Sequence, residues 1–113
     1  MIPISDQHLA AQERQQENRR DALALQWYRQ QGGRLPQVGD EELRAVLARA
    51  KETATEVGVG RDEDDRLRRL MAFHAILPDP TGDQWLLAID AVFDLPSNTQ
   101  AIETFDRLAK GIE

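Results

Sequence analysis

The sequence predicts an all-α fold, a single compact bundle of about five helices without a β-sheet. Three observations support this prediction. Apolar residues recur at positions i, i+3, i+4 and i+7, which places them on one face of a helix. Residues that favour helix N-termini precede these segments, and Gly or Pro residues follow them. The 113 residues, of which 41% are hydrophobic and 30% are charged, suit one domain with a modest core.

The first helix is predicted to run from Ser5, as its N-cap, to Gln31, where a Gly-Gly pair ends it. Its first half, "QERQQENRRD", is wholly polar and offers no face to bury, so this part could protrude from the domain. Its second half, "ALALQWYRQ", places Leu23 and Trp27 four residues apart on one face. The helix therefore joins an unburied segment to an apolar one.

The second helix is predicted to start at the N-cap Asp40 and to end at Gly58, with Val59 closing a Schellman-type cap. Its predicted buried stripe comprises Leu43, Val46, Leu47, Ala50 and Ala54. Pro36 keeps the preceding linker "RLPQVGD" extended.

The stretch "GRDEDDRLRRLMAFHAILPDP", residues 60–80, predicts either a third helix or a metal or acid–base site. As a helix, it has Asp62 to Asp65 in its first turn, where carboxylates meet the positive end of the dipole, and its prolines stop it. The apolar positions are Leu67, Leu70, Met71, Phe73, Ile76 and Leu77, with His74 on the same stripe. Helix signals explain nearly every residue of the stretch.

The chemical alternative is weaker, because adjacent carboxylates on a helix point about 100° apart and do not easily converge on one ion. We expect two ordinary ion pairs, Asp62–Arg66 and Asp65–Arg69, and a hydrogen-bonded core or boundary role for His74. The paired arginines at 19–20 and 68–69 are expected on solvated helix faces. The sequence accordingly predicts no catalytic residues, no metal site and no cofactor, and hence no enzyme.

A turn at "DPTGD" is predicted to cap the fourth helix, residues 83–93. Its apolar face comprises Trp85, Leu86, Ile89, Val92 and Phe93, and Leu87 lies off this face. Ser97 and Gln100 form a predicted capping box for the fifth helix. The stripe of that helix comprises Ile102, Phe105, Leu108, Ala109 and Ile112.

The charge and composition of the chain limit the kinds of function that it can have. Residues 1–34 carry five Arg and four acidic residues, whereas residues 35–113 carry nine basic and sixteen acidic residues, and the formal net charge is −6. Such a surface repels phosphate backbones, which disfavours nucleic-acid binding. The chain has no cysteine, no membrane-length apolar run and no secretory n-region with an apolar stretch. We expect a cytoplasmic protein without a membrane or small-molecule partner.

Residues 35–113 also resemble the small helical proteins encoded beside type VI secretion effectors and their adaptor chaperones. Those proteins have a helix of the form "LR..V..A...A...G", an "RD" helix start, an apolar helix ending in a turn, a Trp-bearing helix and a last amphipathic helix. The matching positions are Leu43-Arg44, Val46, Ala50, Ala54, Gly58, Arg61-Asp62, Pro78-Asp79 and Trp85. The chain departs from the pattern where Leu77 replaces a glycine and Pro80 an aromatic residue.

The resemblance implies a co-chaperone that binds an effector adaptor chaperone and helps to control effector loading. It supplies no catalytic residues. An alternative is an immunity protein that binds and neutralises a co-encoded toxin, since the same kind of acidic helical surface suits that role.

The candidate partner interface lies on the apolar half of the first helix. Leu23, Trp27 and Tyr28 are its apolar residues, and Arg20 and Arg29 flank them as a polar rim. Trp, Tyr and Arg are enriched in binding hot spots, although core packing of these rings is the alternative. We expect Tyr28→Ala, or removal of residues 1–20, to weaken partner binding more than it lowers the melting temperature. The acidic residues 62–65 are the second candidate surface.

Overall fold

The computed structural model describes the backbone of residues 3–60 and 63–111 and the side chains of residues 14–60 and 63–111. Within this described part, the chain forms five α-helices and one short 3-10 turn, and it contains no strand, which confirms the predicted all-α fold. The helices are α1 (Pro3–Gln30), α2 (Asp40–Val57), α3 (Asp64–Ile76), α4 (Gly82–Asp94) and α5 (Asn98–Ala109), with the 3-10 turn at Gly32–Arg34.

The central helix of the bundle is α3, which packs against each of the other four helices. The pairs α1–α2 and α4–α5 complete the packing on its two sides. The largest fully buried side chains are Tyr28, Phe73, Phe105, Leu70, Met71 and Val92. Burial of such side chains is the main favourable contribution to folding, at about 1.5 to 3 kcal/mol each.

The molecule is elongated, with principal extents of 60 × 27 × 24 Å. Its length follows from α1, whose 28 residues rise about 42 Å at 1.5 Å per residue. The next longest helix, α2, has 18 residues. Side chains 14–20 of α1 are all exposed, as the polar composition of this segment predicts.

Both ends of α2 are set by glycine. Gly39, rather than the predicted Asp40, is the N-cap residue, and Asp40 is the first residue of the helix. At the other end, Gly58 has a φ of +83°, in the left-handed region that favours glycine. The Val59 N–H donates to the Ala54 carbonyl at 2.8 Å, which confirms the predicted Schellman-type cap.

The first helix begins at Pro3, so Ser5 is not its N-cap. The start of the third helix differs from prediction as well. Glu63 is the N-cap residue of α3, and its Oε2 atom accepts a hydrogen bond from the Gly60 N–H at 2.6 Å. Its Oε1 atom lies 2.7 Å from Arg66 Nη1. The predicted Asp62–Arg66 pair lies outside the described residues, because Asp62 is not among them.

The prediction that Arg69 lies on a solvated face and pairs with Asp65 is wrong. Arg69 is 8% exposed, and its guanidinium group donates to Asn98 Oδ1 at 2.8 Å, to the Val92 carbonyl at 2.9 Å and to the Leu95 carbonyl at 2.7 Å. These carbonyls lie at the C-terminal end of α4, where they lack intrahelical partners and the helix dipole is negative. Arg69 therefore ties α3 to the α4–α5 connection.

The predicted turn before α4 is confirmed as a complete capping box. The Gln84 N–H donates to Thr81 Oγ1 at 3.2 Å, and the Thr81 N–H donates to Gln84 Oε1 at 2.9 Å. At α5 only half of the predicted box is present, since Ser97 Oγ accepts from the Gln100 N–H at 3.2 Å and no reciprocal bond forms among the described atoms.

Two apolar residues lie outside the faces predicted for them. Leu86 was expected in the core-facing stripe of α4 but is 64% exposed, and Ala109 was expected in the stripe of α5 but is exposed as well. The stripe position Ile112 lies outside the described residues. The remaining α5 stripe, Ile102, Phe105 and Leu108, is buried as predicted.

Candidate binding surface

Tyr28 lies in the core and not on the surface. Its side chain has no exposed area, and its hydroxyl group donates a hydrogen bond to the Pro36 carbonyl. Burial raises the pKa of the Tyr28 hydroxyl above its ordinary value, and the nearby charge of Arg29 only partly offsets this effect. A partner cannot reach this ring in the folded chain, so Tyr28 drops out of the candidate interface.

Arg29 is engaged by the segment that connects α1 to α2. Its Nη1 atom donates to the Val38 carbonyl at 2.5 Å, and its Nη2 atom donates to Asp40 Oδ1 at 2.9 Å. Tyr28 and Arg29 thus bind successive parts of the linker and fix the entry of α2 against the end of α1. Arg29 therefore anchors the linker to α1, whereas the sequence placed it in the polar rim of the interface.

The other three predicted interface residues share one side of α1. Arg20, Leu23 and Trp27 follow one another at spacings of three and four residues, which aligns them along the helix. Leu23 is 49% exposed, Arg20 is exposed, and Trp27 is half-buried against the core cluster. We call these three residues the α1 flank. The structure therefore brings three of the five predicted residues together on an accessible surface.

A polar groove of about 540 Å³ adjoins the α1 flank at Arg20. It lies between α1, the end of α2 and the start of α3, and its lining includes Arg14, Glu17, Asp21 and Lys51. Lys51 Nζ lies 2.7 Å from Asp21 Oδ1 and 3.3 Å from Glu17 Oε1. These ion pairs attach the polar half of α1 to α2.

Lys51 is held in its charged form by this groove. Burial by itself lowers the pKa of its amino group, but the hydrogen bond and charge of Asp21, together with those of Glu17, outweigh burial and raise the pKa. No local pattern indicates this contact, because Lys51 and Asp21 lie 30 residues apart. The groove contains opposite charges that are already paired, which suits an interhelical contact more than an ion-binding site.

The metal-site alternative for residues 60–80 can be compared with the described side chains of that stretch. Among the side chains of residues 14–60 and 63–111, no group of three or more His, Asp or Glu residues is arranged to hold a metal ion. Asp65 Oδ1 lies 3.8 Å from Arg68 Nη1, and it is exposed to solvent. Contacts of this kind contribute little to stability, about 0 to 1 kcal/mol.

His74 occupies a boundary position, as the sequence predicts. Its Nε2 atom lies 2.7 Å from Thr53 Oγ1, and its ring packs near Phe73 and Trp85 at centroid distances of 4.8 and 6.4 Å. Burial, reinforced by the charge of Arg49, lowers the pKa of His74 below its ordinary value. These contacts account for the histidine as a structural residue at the α2–α3 boundary.

Exposed leucines on α4 form a second apolar surface that the sequence did not predict. Leu86 is 64% exposed and Leu87 is 46% exposed, and with Leu23 they are the large hydrophobic side chains that the described part of the chain exposes most. The position of Leu87 off the core-facing side was predicted, whereas Leu86 was wrongly placed on that side, because α4 is apolar on several sides.

No helix in the described part of the chain has the length and apolar character that a membrane crossing requires. Comparisons with models of protein families, with curated proteins and with solved structures find no match to this chain.

Proposed function

We propose that this chain is a non-catalytic protein-binding module and that its partner contacts the α1 flank. The observation that carries this proposal is the position of Leu23. It is half exposed, on the same side of the helix as the half-buried Trp27 and the exposed Arg20. A large apolar residue with an aromatic ring beside it and an arginine at its edge has the composition of a binding hot spot.

The packing of α1 supports the same assignment. Tyr28 and Arg29 fix the C-terminal end of α1 to the linker, and Lys51 binds Glu17 and Asp21 about two to three turns earlier in α1. The flank is therefore presented on a rigid helix that several contacts hold in place. Binding to such a preorganised surface costs less conformational entropy than binding to a surface that becomes ordered only in the complex.

The specific role that we propose is that of a co-chaperone that binds a type VI secretion effector adaptor chaperone and helps to control effector loading. This part of the proposal rests on the resemblance of residues 35–113 to proteins encoded beside such adaptors. The acidic composition, with a formal net charge of −6, suits a protein partner and opposes a nucleic-acid one.

The proposal is tested by co-purification from cells that express this chain with the proteins encoded by its neighbouring genes. We expect the wild-type chain to recover an adaptor chaperone, and Leu23→Ser to recover much less of it. Leu87→Ser is the matched control, because it removes a leucine of similar exposure, 46% against 49%, from a different helix. Recovery of an adaptor by both variants at wild-type levels would place the interface elsewhere.

The alternative role, an immunity protein that neutralises a co-encoded toxin, predicts a different outcome. The chain would then recover only a toxic effector, and its deletion would kill cells that sibling cells attack. Deletion of a co-chaperone would instead leave cells healthy and impair effector delivery. Comparing the survival of deletion strains in contact with attacking siblings separates the two roles.

A further inference from the structure

The outward face of α4 combines apolar and acidic residues in a defined order. At 100° per residue, Asp83, Leu86, Leu87, Asp90 and Asp94 fall within an arc of about 100° of the helix surface. All five side chains are exposed. The three aspartates run along the middle of this arc, and a leucine lies on either side of them. We call these five residues the α4 face.

The charge of the α4 face is not neutralised by any ion pair in the described part of the chain. Helix α4 contains no Lys or Arg, and none of the ion pairs found among residues 14–60 and 63–111 includes its aspartates. Two of the three most exposed large hydrophobic side chains in this part of the chain therefore lie within a field of three unpaired negative charges. A neutral apolar partner would bury these carboxylates without compensation.

We propose that the α4 face, which is separate from the α1 flank, is a docking surface for a basic amphipathic helix of a second protein, distinct from the partner of the α1 flank. The leucines would pack against its apolar residues, and the aspartates would pair with its Lys or Arg residues. Along the helix axis Asp83 and Asp90 lie about 10 Å apart and Asp90 and Asp94 about 6 Å apart. A partner helix packed alongside therefore meets them with basic residues seven and four positions apart.

A second copy of this chain fits the α4 face poorly. A two-fold contact of α4 on α4 would place six aspartates in one interface, and like charges that meet across an interface repel each other. Charge complementarity thus selects a basic occupant. It also predicts that binding weakens as salt concentration rises, because exposed charge pairs are screened.

The test measures fluorescence anisotropy of a labelled synthetic leucine–lysine amphipathic helix titrated with the full chain, with a leucine–glutamate helix as the control peptide. We expect saturable binding of the basic helix only. Leu86→Ser and Leu87→Ser should each weaken it about tenfold, the fold-change expected for removing one buried leucine contact. Leu23→Ser, which alters the α1 flank, should leave it unchanged.

A matched charge control separates docking from general attraction to an acidic protein. Asp90→Asn should weaken binding of the basic helix about threefold at low salt and less at high salt. Asp79→Asn, which makes the same charge change at an exposed position outside α4, should have no effect. Circular dichroism confirms that each variant remains folded.

Three outcomes would overturn the proposal: no saturable binding, equal losses for Asp79→Asn and Asp90→Asn, or binding that both leucine variants retain. A wild-type dimer that Leu86→Ser dissociates in analytical ultracentrifugation would also overturn it, since the occupant would then be a second copy. None of these results bears on the α1 flank, so failure here is distinguishable from failure of the proposed function.

Discussion

The Nε2 atom of His74 lies 2.7 Å from the Oγ1 atom of Thr53, and this contact joins α3 to α2 at the edge of the core. Burial and the charge of Arg49 both disfavour a proton on the imidazole, so the pKa of His74 in the folded chain is lower than its ordinary value of 6.5. His74 therefore makes the stability of the fold depend on pH.

The first prediction concerns the direction of this dependence. Above pH 6.5 the imidazole is neutral in both states, and its full contribution to the free energy of unfolding is present. As the pH falls below 6.5, His74 is protonated in the unfolded chain before it is protonated in the folded chain. The free energy of unfolding therefore decreases, and this decrease ends once the pH lies below the lower pKa of His74 in the folded chain. Urea unfolding at about pH 7.5 and about pH 5.5 should show this loss. His74→Gln should reduce it, and an unchanged loss in that variant would contradict the assignment.

The second prediction concerns the buried Arg69. Arg69→Leu removes three hydrogen bonds and leaves the Val92 and Leu95 carbonyls unpaired at the end of α4. We expect this variant to lose about 3 kcal/mol of unfolding free energy, measured by chemical denaturation. Arg68→Leu is the matched control on the same helix. It should change stability by less than about 1 kcal/mol, since the ion pair found for Arg68 among the described residues is a 3.8 Å contact with Asp65. Equal losses in both variants would refute the role given to Arg69.

The third prediction concerns Tyr28 and replaces the expectation that its truncation affects binding more than stability. Because the ring is fully buried, Tyr28→Ala should lower the free energy of unfolding by about 3 to 5 kcal/mol. Tyr28→Phe keeps the ring and loses only the hydrogen bond to the Pro36 carbonyl, so it should cost about 1 kcal/mol. A Tyr28→Ala chain with wild-type stability would show that the ring does not fill the core.

Local signals were enough to predict the helices and several of their ends. The left-handed Gly58 with Val59 behind it, and the Thr81 turn before α4, depend only on residues a few positions apart. The N-cap of α2 lies one residue before the predicted Asp40, whose carboxylate binds Arg29, a residue 11 positions away.

Contacts between distant segments could not be predicted in the same way. Arg69 binds backbone carbonyls 23 and 26 residues away, and a run of arginines carries no signal for such partners. Trp27 and Tyr28 are adjacent aromatic residues in an apolar segment, and local spacing does not distinguish the fully buried Tyr28 from the half-buried Trp27. Likewise the apolar residues of α4 outnumber those it can bury, so the exposure of Leu86 depends on how α4 packs on α3 and α5.

The central claim is that a protein partner binds the α1 flank, and isothermal titration calorimetry tests it most directly. The titration compares the wild-type chain, Leu23→Ser and Leu87→Ser as ligands of the protein partner that co-purifies with the wild-type chain. We predict that Leu23→Ser binds at least about tenfold more weakly, because the apolar contact of one leucine side chain with the partner is lost. Leu87→Ser should bind as the wild type does. Wild-type affinity in a folded Leu23→Ser chain would contradict the claim.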